Sequence, residues 1–141
     1  MVKFTERQIS DINALLKQLT NKPKRVNEEV LNEILSQSGV FILVVKNSNG
    51  KIIAMATLAI RRLFPGKTAK IESVVVDKKH RGKRLGKRIM ERLIEKARLE
   101  EALFVSLTTH PSRKEANRLY QSLGFKLIGN IGESNYYRLL L

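Results

Sequence analysis

Residues 71–97 read IESVVVDKKHRGKRLGKRIMERLIEKA. A β-branched run, Val74-Val75-Val76, is followed by Asp77 and then by a basic, glycine-containing turn. Beyond the turn, Leu85, Ile89, Leu93, Ile94 and Ala97 recur at helical spacing and predict an amphipathic helix. A strand that feeds a helix through such a turn gathers the helix's free backbone N–H groups at one place. Those groups, with the positive end of the helix dipole, attract phosphate. Gly82 and Gly86 let the main chain approach a diphosphate closely. The turn has neither the G-K-[ST] ending of a Walker loop nor the G-x-G-x-x-G spacing of a dinucleotide fold. Taken alone, a well-capped surface turn explains these residues equally well, so the rest of the chain has to decide.

The charge balance favours an anionic partner. Lys and Arg number 27 against 13 Asp and Glu, a net charge of +14. Lys78, Lys79, Arg81, Lys83, Arg84, Lys87 and Arg88 crowd the turn and the start of the helix. The helix dipole disfavours cations there, so the crowding costs stability until an anion arrives. The chain has no Cys, which excludes disulfides, thiolate metal sites and a Cys nucleophile. With only His80 and His110 as imidazoles, no metal is expected. No apolar run reaches the ~18 residues of a membrane span, and the N-terminus lacks a signal-peptide core. A cytoplasmic protein without a membrane partner is therefore expected. Its 141 residues fit one domain, 1–141.

The flanking segments set the architecture. Met1–Phe4 suits a short strand. Thr5 with Gln8 forms a capping box ahead of a helix over Glu6–Thr20, which Asn21-Lys22-Pro23 stops. Asn27 caps a second helix that ends near Ser38-Gly39. Val40–Lys46 and Ile52–Ile60 are strands joined by Asn47-Ser48-Asn49-Gly50, a hairpin. Thr68–Val76 is a third long strand and Leu103–Leu107 a short buried one. Ser112 with Glu115 predicts the cap of a helix over Arg113–Leu123, stopped by Gly124. Phe125–Ile128 and Asn135–Leu140 close the chain as strands. The order implies an α+β fold: a mixed, mostly antiparallel sheet of about seven strands with four helices.

A second constellation lies downstream, in Glu115-Ala116-Asn117-Arg118-Leu119-Tyr120-Gln121-Ser122-Leu123-Gly124-Phe125. The two regions together resemble the GNAT superfamily of acyl-CoA-dependent N-acetyltransferases. Its phosphate loop, [QR]-x-x-G-x-[GA] after an apolar triplet and Asp, is similar to Arg81-Gly82-Lys83-Arg84-Leu85-Gly86 here. Its later motif, A-x-x-L-Y-x-x-x-G-F, is matched by Ala116, Leu119, Tyr120, Gly124 and Phe125. Spacing and element order agree over nearly the whole chain. Two positions depart. The loop's central Gly is Arg84, whose side chain is expected to point outward and add a phosphate contact. Arg113 stands where relatives often carry an Asn that touches the cofactor, so that contact is either taken over or lost.

The resemblance implies acetyl transfer from acetyl-CoA to an amine. It implies parallel strands, Ile71–Val76 and Leu103–Leu107, splayed apart to receive the pantetheine arm. Backbone groups of Val74 and Val76 would bind that arm, and an N–H near Val74 or Val75 would polarise the thioester carbonyl. The amides of Gly82, Lys83, Arg84, Leu85, Gly86 and Lys87 would take the pyrophosphate. Tyr120 is the candidate general acid, since a phenol can donate a proton to the departing thiolate. Glu72 is the candidate general base, either directly or through water; in an apolar strand it is expected half-buried, with a raised pKa. Relatives that place the base on the next strand would put it near Thr108, which cannot serve, and His110 is remote. The acceptor is a peptide, protein or small amine; polyamines would be repelled. It is expected between the two N-terminal helices and the loops after Ile60 and Gly129, with Tyr136 and Tyr137 as possible lining. The chain is expected to be a monomer or homodimer. Two other readings stay open: a basic nucleic-acid-binding module and an acyl-CoA-binding protein without catalysis. The absence of any aromatic residue in Lys78–Arg98 counts against the first.

Overall fold

The hairpin predicted at Asn47–Gly50 starts the sheet, because Asn47 Oδ1 accepts the amides of Asn49 and Lys51 at 3.0 Å each and Gly50 supplies a φ of +80°. The computed structural model describes residues 3–141. In it β1 (Val40–Lys46) pairs antiparallel with β2 (Ile52–Arg62), and β2 with β3 (Lys67–Val76). Then follow β4 (Phe104–Thr109), β5 (Lys126–Ile131) and β6 (Ser134–Leu140). The sheet has six strands in the order β1-β2-β3-β4-β6-β5, and β3 and β4 run parallel. The helices are α1 (Glu6–Leu19), α2 (Glu28–Ser36), α3 (Leu85–Leu99) and α4 (Lys114–Ser122).

Among the described residues the sheet has six strands, against the expected about seven. Of the strand expected at Met1–Phe4, Met1 and Val2 lie outside the described residues, and Phe4 is not in a strand. The chain there leads instead into the capping box, where Thr5 Oγ1 accepts the Gln8 amide and Gln8 Oε1 accepts the Thr5 amide, both at 3.0 Å. β4 also sits further along than expected, at Phe104–Thr109 rather than Leu103–Leu107, although Leu103 still bonds toward both neighbours, donating to the Lys67 carbonyl at 2.8 Å and accepting the Leu141 amide at 3.0 Å.

Alternation along the strands sorts residues between two layers. Ala54, Ala56 and Leu58 of β2, Ala69 and Ile71 of β3, and Val105 and Leu107 of β4 pack with Ile89, Met90, Leu93 and Ala97 of α3 and Tyr120 of α4. On the opposite face Ile52, Met55 and Val75 pack with Ile12, Leu15 and Leu31 of α1 and α2. Small residues along β2 and β3 let α3 approach the sheet closely, while Met90 (0 % exposed) fills the space they leave.

The N-terminal helices are fixed by polar contacts as well. Asp11 Oδ2 accepts the Ile52 amide at 3.0 Å. Buried Asn13 closes a two-bond ring with Val26, accepting its amide at 2.8 Å and donating to its carbonyl at 2.9 Å. Asn13→Ala strands both backbone groups in a part-buried setting. The substitution is expected to lower unfolding free energy by roughly 2 kcal/mol, since each unsatisfied group costs about 1–3 kcal/mol. Urea denaturation checks this, and a loss below about 0.5 kcal/mol, the range of ordinary surface substitutions, would refute it.

Candidate active site

β3 and β4 pair in parallel only through Ala69–Val105 and Lys70–Ser106, and beyond those rows they separate. The cause lies in β3. The β2–β3 register jumps between Met55 and Thr57, which face Val75 and Glu72, so two β3 residues oppose Ala56. Ser73 takes a φ of +57° within this bulge. A bulge bends its strand and shifts the alternation that follows it. Val75 thus faces α1, while Val74 and Val76 pack with the α3 layer. The Asp77 amide bonds to Ile53 of β2 at 2.8 Å. By strand alternation the main-chain groups of Val74 and Val76 therefore point the other way, into the β3–β4 gap. The Val76 carbonyl there accepts Arg81 Nε at 3.2 Å.

A cleft of about 750 Å³ opens along this gap. The sequence-predicted residues Val74, Val75, Val76, Arg81, Gly82, Arg84, Leu85, Gly86, Lys87, Arg113 and Tyr120 all line it. Lys83 does not, and neither does Glu72.

The floor at one end is the start of α3. Arg84 occupies the N-cap position with φ +60° and makes no side-chain cap bond, because arginine has no acceptor. The first amide of α3 with a backbone partner among the described residues is that of Arg88, which donates to the Arg84 carbonyl at 3.1 Å. The amides of Leu85, Gly86 and Lys87 precede it and point out of the helix end. Gly82 sits at φ +82° with open space around it, and a Cβ on Gly86 would meet Leu119 at an ordinary 3.5 Å. Gly86 is thus not required by packing within the chain; it leaves the helix end bare. Free amides, a positive dipole end and flanking Arg and Lys side chains are a donor set that suits a diphosphate.

The turn before α3 is held by a buried carboxylate. Asp77 accepts Gln18 Nε2 at 3.2 Å and the Lys79 amide at 3.3 Å, and its Oδ2 lies 3.3 Å from His80 Nδ1. Gln18 returns the contact by accepting the Lys78 amide at 2.9 Å. Burial alone would push the Asp77 carboxyl up, but the bonds from Gln18, the Lys79 amide and His80 outweigh it and hold it below the usual carboxylate range. Gln18 also lines the cleft, and no motif marks it. Only the docking of α1 brings it to the loop.

Tyr120 of α4, which also lines the cleft, is 7 % exposed and packs edge-on against Phe125 and Tyr137, with ring centroids 6.1 and 6.2 Å away. Burial pushes its phenol above the ordinary value, with Arg113 pulling weakly the other way, so it is protonated at neutral pH. Among the described residues its hydroxyl has no hydrogen-bond partner. Tyr137, expected as lining for an acceptor, is instead 1 % exposed in the core. Its hydroxyl donates to Asn117 Oδ1 at 2.6 Å, while Asn117 Nδ2 donates to the Arg113 carbonyl at 2.7 Å. This chain of bonds ties α4 to β6. The cap expected from Ser112 falls to Arg113, because Ser112 Oγ turns to His110 Nδ1 at 2.7 Å. The Arg113 guanidinium donates to the Leu19 carbonyl at 3.2 Å, linking the start of α4 to the end of α1 beside the cleft.

Glu72 departs from its expected setting. Its side chain is 51 % exposed and pairs with Lys70 at 3.1 Å, so it is not half-buried. Alternation from Ile71, which faces α3, puts it on the α1 side of the sheet, one residue before the bulge. Among the described residues no cluster of His, Asp and Glu could hold a metal ion, and no helix is long and apolar enough to cross a membrane.

The model of the Acetyltransferase (GNAT) family matches residues 10–125. Glucosamine 6-phosphate N-acetyltransferase from Arabidopsis thaliana is 36 % identical over 105 residues, covering 66 % of this chain and 70 % of the relative. The crystal structure of that enzyme from the same plant superposes with a TM-score of 0.75 at 30 % identity, over 87 % of this chain and 90 % of the other. A Trypanosoma brucei acetyltransferase gives a TM-score of 0.78 at 28 % identity over 91 % and 92 % of the two chains. Splayed strands, bare helix end and these likenesses define an acetyl-CoA-dependent acetyltransferase. The chain belongs to the GNAT family.

Asp77 makes the loop sensitive to acid. Its folded pKa is depressed, so the stability it contributes is present above its unfolded value, about 3.9. That contribution is lost as pH falls through the folded value. Asp77→Asn is expected to lower Tm at pH 7 and to flatten the decline below about pH 4. Thermal melts from pH 7 to pH 2.5 check this; an equal gap between wild type and variant at both ends would contradict it.

Proposed function

We propose that the protein transfers the acetyl group of acetyl-CoA directly to a primary amine. One observation carries the proposal. The uncapped start of α3 and Tyr120, whose hydroxyl has no partner among the described residues, line the same cleft as the unpaired stretch of β3. When bound, acetyl-CoA supplies an activated thioester. The amides of Leu85, Gly86 and Lys87 would hold its diphosphate, with Gly82 giving access and Arg81 and Arg84 adding charge. Main-chain groups of Val74 and Val76 would pair with its extended arm as a partner strand does, and an N–H near Val74 or Val75 would polarise the carbonyl. Arg113 would serve the same arm from the start of α4.

Tyr120 is suited to protonate the leaving sulfur. It is neutral at working pH, held by two rings, and free to donate. Glu72 would accept the proton of the amine from the α1 side of the gap, directly or through a water, after giving up its contact with Lys70. The acceptor we place first is an amino-sugar phosphate, because the Arabidopsis relative is a glucosamine 6-phosphate N-acetyltransferase. Peptide and protein amines follow.

The experiment is an amine panel with acetyl-CoA, read by release of free thiol. Tyr120→Phe is expected to lower kcat by about 100-fold, the usual range for a lost acid, with little change in KM for acetyl-CoA. Glu72→Gln is expected to lower kcat/KM for the amine by about 10- to 100-fold. If both variants turn over every accepted amine at the wild-type rate, the assigned roles are wrong.

A further inference from the structure

The face of the sheet turned toward α1 carries a second charged row that the acetyl-donor cleft does not use. Lys70 of β3 is paired in register with Ser106 of β4, Ser106 with Arg138 of β6, and Arg138 with Lys126 of β5. Residues paired in register share a face. Glu72 is the next residue of β3 on that face and is ion-paired to Lys70. α1 and α2 lie over Ile52, Met55 and Val75, and Lys70, Glu72, Thr108 and Lys126 remain exposed.

Arg138 is held as a preformed donor. Its guanidinium carbon lies 4.0 Å from the centre of the Phe104 ring and 5.6 Å from that of Tyr136. One terminal nitrogen donates to the Tyr136 hydroxyl at 3.1 Å. Its Nε is buried without a hydrogen-bond partner among the described residues. None of the ion pairs among those residues involves Arg138 or Lys126. Two like charges directly opposite in adjacent strands disfavour each other. An oriented guanidinium in no ion pair, beside a second unpaired cation, is suited to a dianionic oxyacid, the kind of group arginine binds through charge-assisted N–H bonds.

We propose that Arg138, with Lys126 beside it, binds the phosphate of an amine acceptor whose amino group lies at Glu72. Lys70 and Arg138 stand two strands apart, roughly 10 Å between main chains. A small molecule with an amine at one end and a phosphate at the other matches that span. Phe104 and Tyr136 keep the guanidinium aimed, so Arg138 sets specificity while Glu72 and Tyr120 do the chemistry. The inference rests on the reading of this face as the acceptor side.

The test compares glucosamine 6-phosphate with glucosamine, using wild type, Arg138→Met, Arg138→Lys and Lys126→Met. Wild type is expected to prefer the phosphorylated amine by about 10- to 100-fold in kcat/KM, the range for hydrogen bonds to a charged group. Arg138→Met is expected to bring that ratio close to one through KM, with kcat for the phosphorylated amine kept. Arg138→Lys should fall between, because it keeps the charge and loses the fork, and Lys126→Met should cost a few-fold. An unchanged thermal shift with CoA shows that each variant is folded. Equal kcat/KM for the two amines in wild type, or an equal loss for both in Arg138→Met, would overturn the proposal. If neither amine is acetylated, the acceptor assignment fails. The phosphate site is then decided by binding, measured as the Tm rise that glucosamine 6-phosphate produces with CoA saturating. A rise in wild type that Arg138→Met abolishes supports the site, and no rise in wild type refutes it.

Discussion

The structure depends on a parallel strand pair that is begun and then abandoned. β3 and β4 share the rows Ala69–Val105 and Lys70–Ser106 and part beyond them, because the bulge at Ser73 turns β3 aside. Main-chain donors and acceptors in a sheet need partners. Parting the strands leaves those of Val74 and Val76 directed into a cleft rather than into a ladder. The same bulge reverses which side chains face which layer, so Val75 anchors α1 while Glu72 stays on the α1 side of the gap. One extra residue thereby shapes both the cleft and the sheet face beside it.

The loop after β3 accumulates unfavourable terms that have a common remedy. Arg84 is held in the left-handed region, which costs an L-residue roughly 1–2 kcal/mol. The α3 amides it should cap are left bare, and the nearby Lys and Arg side chains oppose the dipole. An anion at the helix end satisfies the amides and reverses the sign of the charge interactions. Asp77, Gln18 and His80 hold the loop in this arrangement from below, through contacts that cross from α1 to the turn. Local strain of this kind is sustained because the surrounding structure over-determines it.

Much of this was legible in the sequence. The triplet Val74–Val76, the turn at Gly82 and Gly86, and the Ala116–Phe125 motif carried the family and the fold. They also named most residues of the cleft, because each depends on contacts within a short stretch. What was not legible depended on tertiary placement. Gln18 reaches the loop only because α1 docks across β2 and β3. Tyr137 is a core residue rather than a wall because its register with Leu107 turns it toward Tyr120. Glu72 is exposed rather than half-buried because α1 and α2 cover Ile52, Met55 and Val75 and leave the Lys70–Glu72 part of that face open, which no local pattern announces. The row Lys70–Ser106–Arg138–Lys126 spans four strands that are far apart in the chain, so only the sheet order reveals it.

The central claim is that the bare start of α3 and the unpaired edge of β3 together aim a thioester at Tyr120. A crystal structure of the protein with bound CoA tests it most directly. The account predicts the diphosphate within hydrogen-bond distance of the Leu85, Gly86 and Lys87 amides, with the sulfur beside the Tyr120 hydroxyl. A diphosphate seated away from those amides, or a sulfur out of reach of that hydroxyl, would contradict it.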